Sequence, residues 1–286
     1  MNLEKLLKFS IPSLEAELTA RDAMLYALGI GVGDRPLDDS DLQFVFEKGQ
    51  QPLKIVPSMV NVLCHPGGWV TAPELEVDWV TLLHGEQGFE MHRPLQPGTK
   101  YVSRNNVLGV LDKGAGKGAM LFLRKELLEA DSGALVSTID STYVLRGDGG
   151  CGSTMKDAPV PHALPDRSPD TSVELTTLPR AALIYRLSGD YNPVHADPSV
   201  ARKAGFDKPI LHGLCSLGVA TRAVMRACCG DDPARLRYLK LRFSSPVYPG
   251  ETLVTDVWRD NEIVSFRTRA VERDVVVLNN GRAIVA

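Results

Sequence analysis

The chain has 286 residues, a net charge of -3, 44% hydrophobic residues and 23% charged ones. That length suits one large domain or two ordinary ones, and the composition is enough for a sizeable core. There is no basic excess for nucleic acid, so an anionic ligand must be met by locally placed Lys or Arg. The five cysteines are Cys64, Cys151, Cys215, Cys228 and Cys229. They are odd in number, scattered and without a CxxC pair, which points to reduced thiols and not to a disulfide framework or a metal site. No stretch approaches the roughly 20 apolar residues of a membrane span. MNLEKLLKFS at the N-terminus has too short an apolar run for a signal peptide, and GRAIVA at the C-terminus matches no common address signal. The cytoplasm is the expected compartment.

In chain order, TARDAMLYALGIGVGD (19–34) reads as a first helix. A long stretch without clear periodicity follows, residues 34–83. Three strand-like runs come next: YVSRNNVLGVLDKG, AMLFLRKELLEA and ALVSTIDSTYVL, separated by the turns DKGAGKG and ADSG. DKGAGKGAM superficially resembles a phosphate loop, but it lacks the GK[ST] ending and sits between strands, so nucleotide triphosphate binding is rejected. Residues 147–172, rich in Gly, Pro, Ser and Asp, read as a linker. The expected units are therefore 1–148, a linker 149–172, and 173–286.

The second half repeats the first. LPRAALIYRLSGDYNP (178–193) resembles 19–34, with Tyr26 falling on Tyr185 and Leu28 on Leu187. LLHG (82–85) matches ILHG (210–213), and PLQPGTKYV (94–102) matches PVYPGETLV (246–254). Three matches in one order indicate duplication of one fold. From His84 to Gly98 there are 14 positions and from His212 to Gly250 there are 38, so the second half carries 24 extra residues after its HG pair. These include LCSLGVATRAVMRACC (214–229), apolar on nearly every face and so expected to be a buried helix. The first half lacks a counterpart. Three further strand-like runs, TLVTDVWRD, EIVSFRTRAVE and VVVLNNGRAIVA, close the chain. Consecutive strands with tight turns around one buried helix predict an α+β class with antiparallel sheet.

Between the helix-like segments of the second half lies IYRLSGDYNPVHADP. It resembles the signature of hydratase 2, the (R)-specific enoyl-CoA hydratases of the MaoC-like group. LLHGEQGFEMHRPL, VLGVLDKG and LRFSSPVYPGETL also resemble hydratase 2 segments, in the family's order and over most of the chain. The resemblance implies a double hot-dog, with two antiparallel sheets and a long central helix kept in the C-terminal half and lost in the N-terminal half. It implies reversible addition of water to trans-2-enoyl-CoA, giving (3R)-3-hydroxyacyl-CoA. It implies no metal or redox cofactor, the CoA thioester being the substrate, and it implies a homodimer.

That chemistry needs a base for water, an acid for the α-carbon and a donor for the thioester oxygen. His195 suits the base, because a neutral imidazole is available at pH 7. Asp190 lies five positions earlier, in a loop held by Pro193, and the family's matching Asp handles the α-carbon proton. Asn192 is expected to hold the water or the loop. Asp, Asn and Pro are also ordinary turn residues, so a purely structural loop is the competing reading. Asp197, before Pro198, reads as a helix N-cap. Gly213 opens the buried helix, where an unpaired N–H suits an oxyanion hole, as at the family's matching glycine; close helix–sheet packing is the alternative. His212 is read as structural. Phe243 matches a family position that touches the ligand, and is otherwise core. His84, Gly85 and Lys113 match positions contacting the CoA thioester, with Lys113 facing a phosphate. Gly31 and Pro36 fall opposite Asp190 and His195, so the first half lacks the acid and the base and is expected to shape the substrate site. Its segment 34–83 either leaves room for a bulky acyl tail or packs as irregular surface. An acyl-CoA thioesterase on the same fold and a non-catalytic acyl-CoA-binding protein are the rival readings.

Overall fold

Strands whose residues largely alternate between buried and less buried positions form the frame of the molecule. A computed structural model describes residues 1–35, 39–49 and 52–286. Its elements are α1 (Leu3–Lys8), β1 (Glu15–Leu18), α2 (Ala20–Gly29), α3 (Asp39–Val45), β2 (Leu82–Met91), β3 (Thr99–Asp112), β4 (Ala119–Glu129) and β5 (Leu135–Leu145). There follow β6 (Thr171–Thr176), α4 (Ala181–Tyr185), α5 (Pro198–Lys203), α6 (Gly213–Val224), β7 (Leu236–Phe243), β8 (Thr252–Asp260), β9 (Ile263–Ala270) and β10 (Val275–Val285). The helices start where capping chemistry allows. Thr19 accepts from Asp22 N–H ahead of α2, and Asp197 accepts from Ser199 N–H ahead of α5, with Pro198 at its first position. Among the described residues, no helix is long and apolar enough to cross a membrane.

The strands form one antiparallel sheet in the order β1-β3-β4-β5-β2-β7-β10-β9-β8-β6. The two antiparallel sheets expected of a double hot-dog are present as five-stranded halves joined edge to edge. Each half contributes five strands in the same internal order, and they fuse where β2 pairs with β7, from Glu86↔Arg242 to Glu90↔Tyr238. Two edge strands that would each expose a row of unpaired N–H and C=O groups satisfy one another. The join is tight: a Cβ on Gly88 would lie 2.9 Å from Lys240 Cβ. Glu86 is buried beside it, 3.0 Å from Lys240 Nζ and 2.6 Å from Arg242.

The 24-residue excess contains a buried helix, as the apolar run 214–229 predicts. Helix α6 lies against β6 to β10, and every residue from Cys215 to Val224 is buried. It continues as one π-helical turn, Met225–Cys229, and stops at Gly230 in the left-handed conformation. Gly218 lets it meet α2, since a Cβ there would lie 2.5 Å from Ile30 Cγ2.

In the first half, the corresponding HG pair begins strand β2 instead of a helix. A 3₁₀ turn, Pro57–Asn61, covers β2 and β5 and touches α6. All five of its residues are buried, so this part of segment 34–83 is packed core, not surface. Lys125, on β4, pins it by donating from Nζ to the carbonyls of Val60 (2.8 Å), Asn61 (3.1 Å) and Leu63 (2.8 Å). The halves are also joined by charge. Arg222 of α6 and Arg226 reach the carboxylate of Asp41, each at 3.0 Å, and Asp41 is buried.

Candidate active site

Loop 186–195 is shaped by its own residues. Gly189 takes φ 119°, a left-handed turn that glycine enters without strain. Asp190 Oδ1 accepts from Asn192 N–H (3.1 Å), and Asn192 Oδ1 accepts from Val194 N–H (3.1 Å). Pro193 then opens a 3₁₀ turn that ends at His195. Asn192 is therefore a loop-holding residue with an exposed side chain, while Asp190 is half-buried and His195 is buried.

These turns point the loop inward, at the start of α6. Asp190, His195 and His212 bring one ligand-type atom each within 4.8 Å of one another. That limit is close to the span of a single water bridging two hydrogen-bonding atoms, about 4.5 Å. His195 Nδ1 lies 2.9 Å from Ile210 O. A carbonyl only accepts, so Nδ1 carries the proton and Nε2 keeps a lone pair. Burial pushes the His195 pKa below its ordinary value, which keeps the ring neutral at pH 7. These three side chains are also of metal-binding type. The two imidazoles stack with centroids 3.7 Å apart and planes 26° apart.

Gly213 follows His212 directly and is the first residue of α6. Among the described residues, its N–H has no hydrogen-bond partner. A Cβ at this position would approach Phe243 Cε1 to 3.2 Å, so glycine also serves close packing. Phe243 stands at the end of β7, where the Glu86↔Arg242 pairing puts it beside Gly85. His84 packs on Phe243 at 4.8 Å and on Tyr143 at 5.3 Å. Gly85 sits in a bulge between His84 and Glu86, with Val144 Cγ2 3.0 Å from where its Cβ would be. Thus Gly213, Phe243, His84 and Gly85 lie together beside the acid and base. Lys113 is exposed in the β3–β4 turn. The pairings Asp112↔Ala119, Ala119↔Leu145 and Leu82↔Leu145 put that turn at the same sheet end as His84, three strands and so about 14 Å across. Gly31 lies near Arg222, and Pro36 lies outside the described residues.

The sequence reading missed a polar chain behind His84. Asn61 Nδ2 donates to Ser58 O (2.8 Å), so its Oδ1 accepts from Gln87 Nε2 (2.7 Å). Gln87 Oε1 then faces Ser141 Oγ (2.6 Å) and His84 Nε2 (2.8 Å). A carboxamide oxygen only accepts, so His84 carries its proton on Nε2. Burial lowers its pKa to about 4, keeping it neutral. The signal in the sequence was Gln87 three positions after His84, which only the bulge places on the same face. A cleft of about 40 Å³ opens beside this chain, lined by Asn61, His65, His84, Gln87, Tyr143 and Leu214.

Comparison with known proteins decides the family. The MFE-2 hydratase 2 N-terminal domain matches residues 17–147 and the MaoC-like domain matches residues 161–281. The chain belongs to the MaoC-like hydratase 2 family. It is 37% identical to peroxisomal enoyl-CoA hydratase 2 of Arabidopsis thaliana, covering 97% of this chain and 93% of that protein. It is 41% identical to 3-hydroxyacyl-thioester dehydratase Y of Mycobacterium tuberculosis, covering 93% and 92%. The crystal structure of a MaoC-like dehydratase from Phytophthora capsici superposes with a TM-score of 0.87 at 34% identity, over 100% of this hydratase-family chain and 99% of that one. A Mycobacterium tuberculosis protein with a double hot-dog fold superposes at 0.57 with 18% identity, a likeness of fold alone; it covers 97% of this chain and 94% of that one.

Proposed function

We propose that this protein adds water to trans-2-enoyl-CoA, reversibly, to form (3R)-3-hydroxyacyl-CoA. The observation that carries the reading is the convergence of the Asp190 carboxylate and a neutral His195 beside the unpaired N–H of Gly213. A water held between Asp190 and His195 loses a proton to the pair as its oxygen bonds to C3. Charge moves onto the thioester oxygen, where the Gly213 N–H and the positive end of α6 receive it; removing such a donor elsewhere costs roughly 3–4 kcal/mol. The pair returns a proton to C2 through Asp190, so acid and base end as they began. Delivery of both groups from one side makes the addition syn. The (3R) outcome is supported by the family.

This chemistry calls on no metal or redox cofactor, and turnover is expected to survive dialysis against EDTA. Lys113 would meet a CoA phosphate at the mouth of the site. A homodimer is the expected assembly, tested by light scattering. The deciding experiment is incubation with crotonyl-CoA: enoyl absorbance falls with no thiol released. Thiol release would make the protein a thioesterase, and tight binding with no turnover at any chain length would make it an acyl-CoA-binding protein.

A further inference from the structure

His212 is a second buried imidazole in the site to which the mechanism assigns no work. It is 1% exposed. Its carbonyl, its Nε2 and its ring each face different neighbours. Its carbonyl accepts from Cys215 N–H and Ser216 N–H, both at 3.1 Å, so its backbone starts α6 and places the next residue, Gly213. Its Nε2 lies 3.1 Å from Asp190 O, and since a carbonyl only accepts, Nε2 carries the proton. Its ring lies on the His195 imidazole, with centroids 3.7 Å apart, and also meets the Tyr185 ring at 5.0 Å.

We propose that His212 is a positioning residue for the hydration reaction: its ring sets the plane of the His195 imidazole, and its Nε2–H sets the backbone of Asp190. This rests on the function proposed above. One residue thereby ties acid and base through its side chain, and the oxyanion donor through its backbone, into one relative geometry, without touching substrate. The ring serves in its neutral form, because a cation here would stand against the imidazolium that forms on His195. Burial holds its pKa down to about 4, helped by His195 and Arg186 and opposed by Asp190. Nδ1, which then bears no proton, has no hydrogen-bond partner.

The test compares His212→Gln and His212→Phe with the unchanged protein on crotonyl-CoA, reading kcat, KM and the melting temperature. Gln keeps a donor for Asp190 O, while Phe keeps a ring and loses the donor. A displacement of the order of 1 Å in a reacting group costs about 100-fold. The Phe variant is therefore expected to lose roughly 30- to 100-fold in kcat at KM within about threefold, and the Gln variant to recover about tenfold of that loss. His212→Leu replaces the Phe variant if the larger ring prevents folding. Rates within about threefold of the unchanged protein in both variants overturn the proposal, as do equal losses in both or a loss confined to KM. Absence of turnover in the unchanged protein overturns the proposed function and this inference with it; normal turnover there with normal variants overturns this inference alone.

Discussion

At the residue scale, the protonation states of the site follow from hydrogen-bond partners that only accept. Ile210 O leaves His195 with a basic Nε2, and Asp190 O gives His212 a protonated one. Asp190→Asn and His195→Gln are each expected to lower kcat by about 100- to 10,000-fold while the far-UV spectrum and melting temperature stay near those of the unchanged protein. Near-normal turnover removes that residue from the chemistry. Lys113, exposed and away from the acid and base, is expected to act on binding: Lys113→Ala raises KM with kcat unchanged, and a fall in kcat alone contradicts that role. The buried histidines also set a pH window. Folded His84 and His212 titrate near 4, and an unfolded imidazole near 6.5. Between those values the unfolded chain binds more protons, so stability present above pH 6.5 is lost as pH falls toward 4. Urea midpoints measured from pH 7.5 to 5 should fall before most carboxylates protonate. A flat profile contradicts the neutral assignments. The acidic limb of kcat/KM should likewise lie below pH 6.5, because the His195 pKa is lowered by burial.

At the scale of elements, the two halves answer one problem differently. The second fills its concave face with α6, and the first with the turn Pro57–Asn61 held by Lys125. Without the ammonium, three buried carbonyls lose their donor. Lys125→Met is expected to destabilise the fold by about 3 kcal/mol, read from urea unfolding, and to raise amide exchange in residues 57–63. A change under about 0.5 kcal/mol contradicts the pinning role. The helix was legible in the sequence, because residues 214–229 are apolar on nearly every face and the HG-to-PG spacing is longer by 24. The replacing turn was not. Pro57–Asn61 has no periodicity, and its partner Lys125 sits over 60 positions away on a strand.

At the scale of the molecule, the β2–β7 pairing and the Arg222–Asp41 contact make one body of the duplicated halves. Arg222 and Asp41 are 4% and 3% exposed, so removing the guanidinium leaves a buried carboxylate that keeps Arg226, Arg35 and the Gly33 N–H but loses a buried cation 3.0 Å away. Arg222→Met is expected to cost about 3 kcal/mol in a single cooperative unfolding transition. Two separated transitions would show that the halves fold as independent units.

The amino-acid order alone determined the duplication, the helix present in one half and absent from the other, and the loop in which Asp190 and His195 lie. Each is written locally, in spacing, periodicity and turn residues read within a few tens of positions. Tertiary structure alone decided that ten strands form one sheet, that Lys125 takes over part of the missing helix's work, and that His212 stacks on His195. A strand edge, a buried cation and an imidazole each accept many partners of the same chemistry. Which one they meet depends on contacts between residues far apart in the chain.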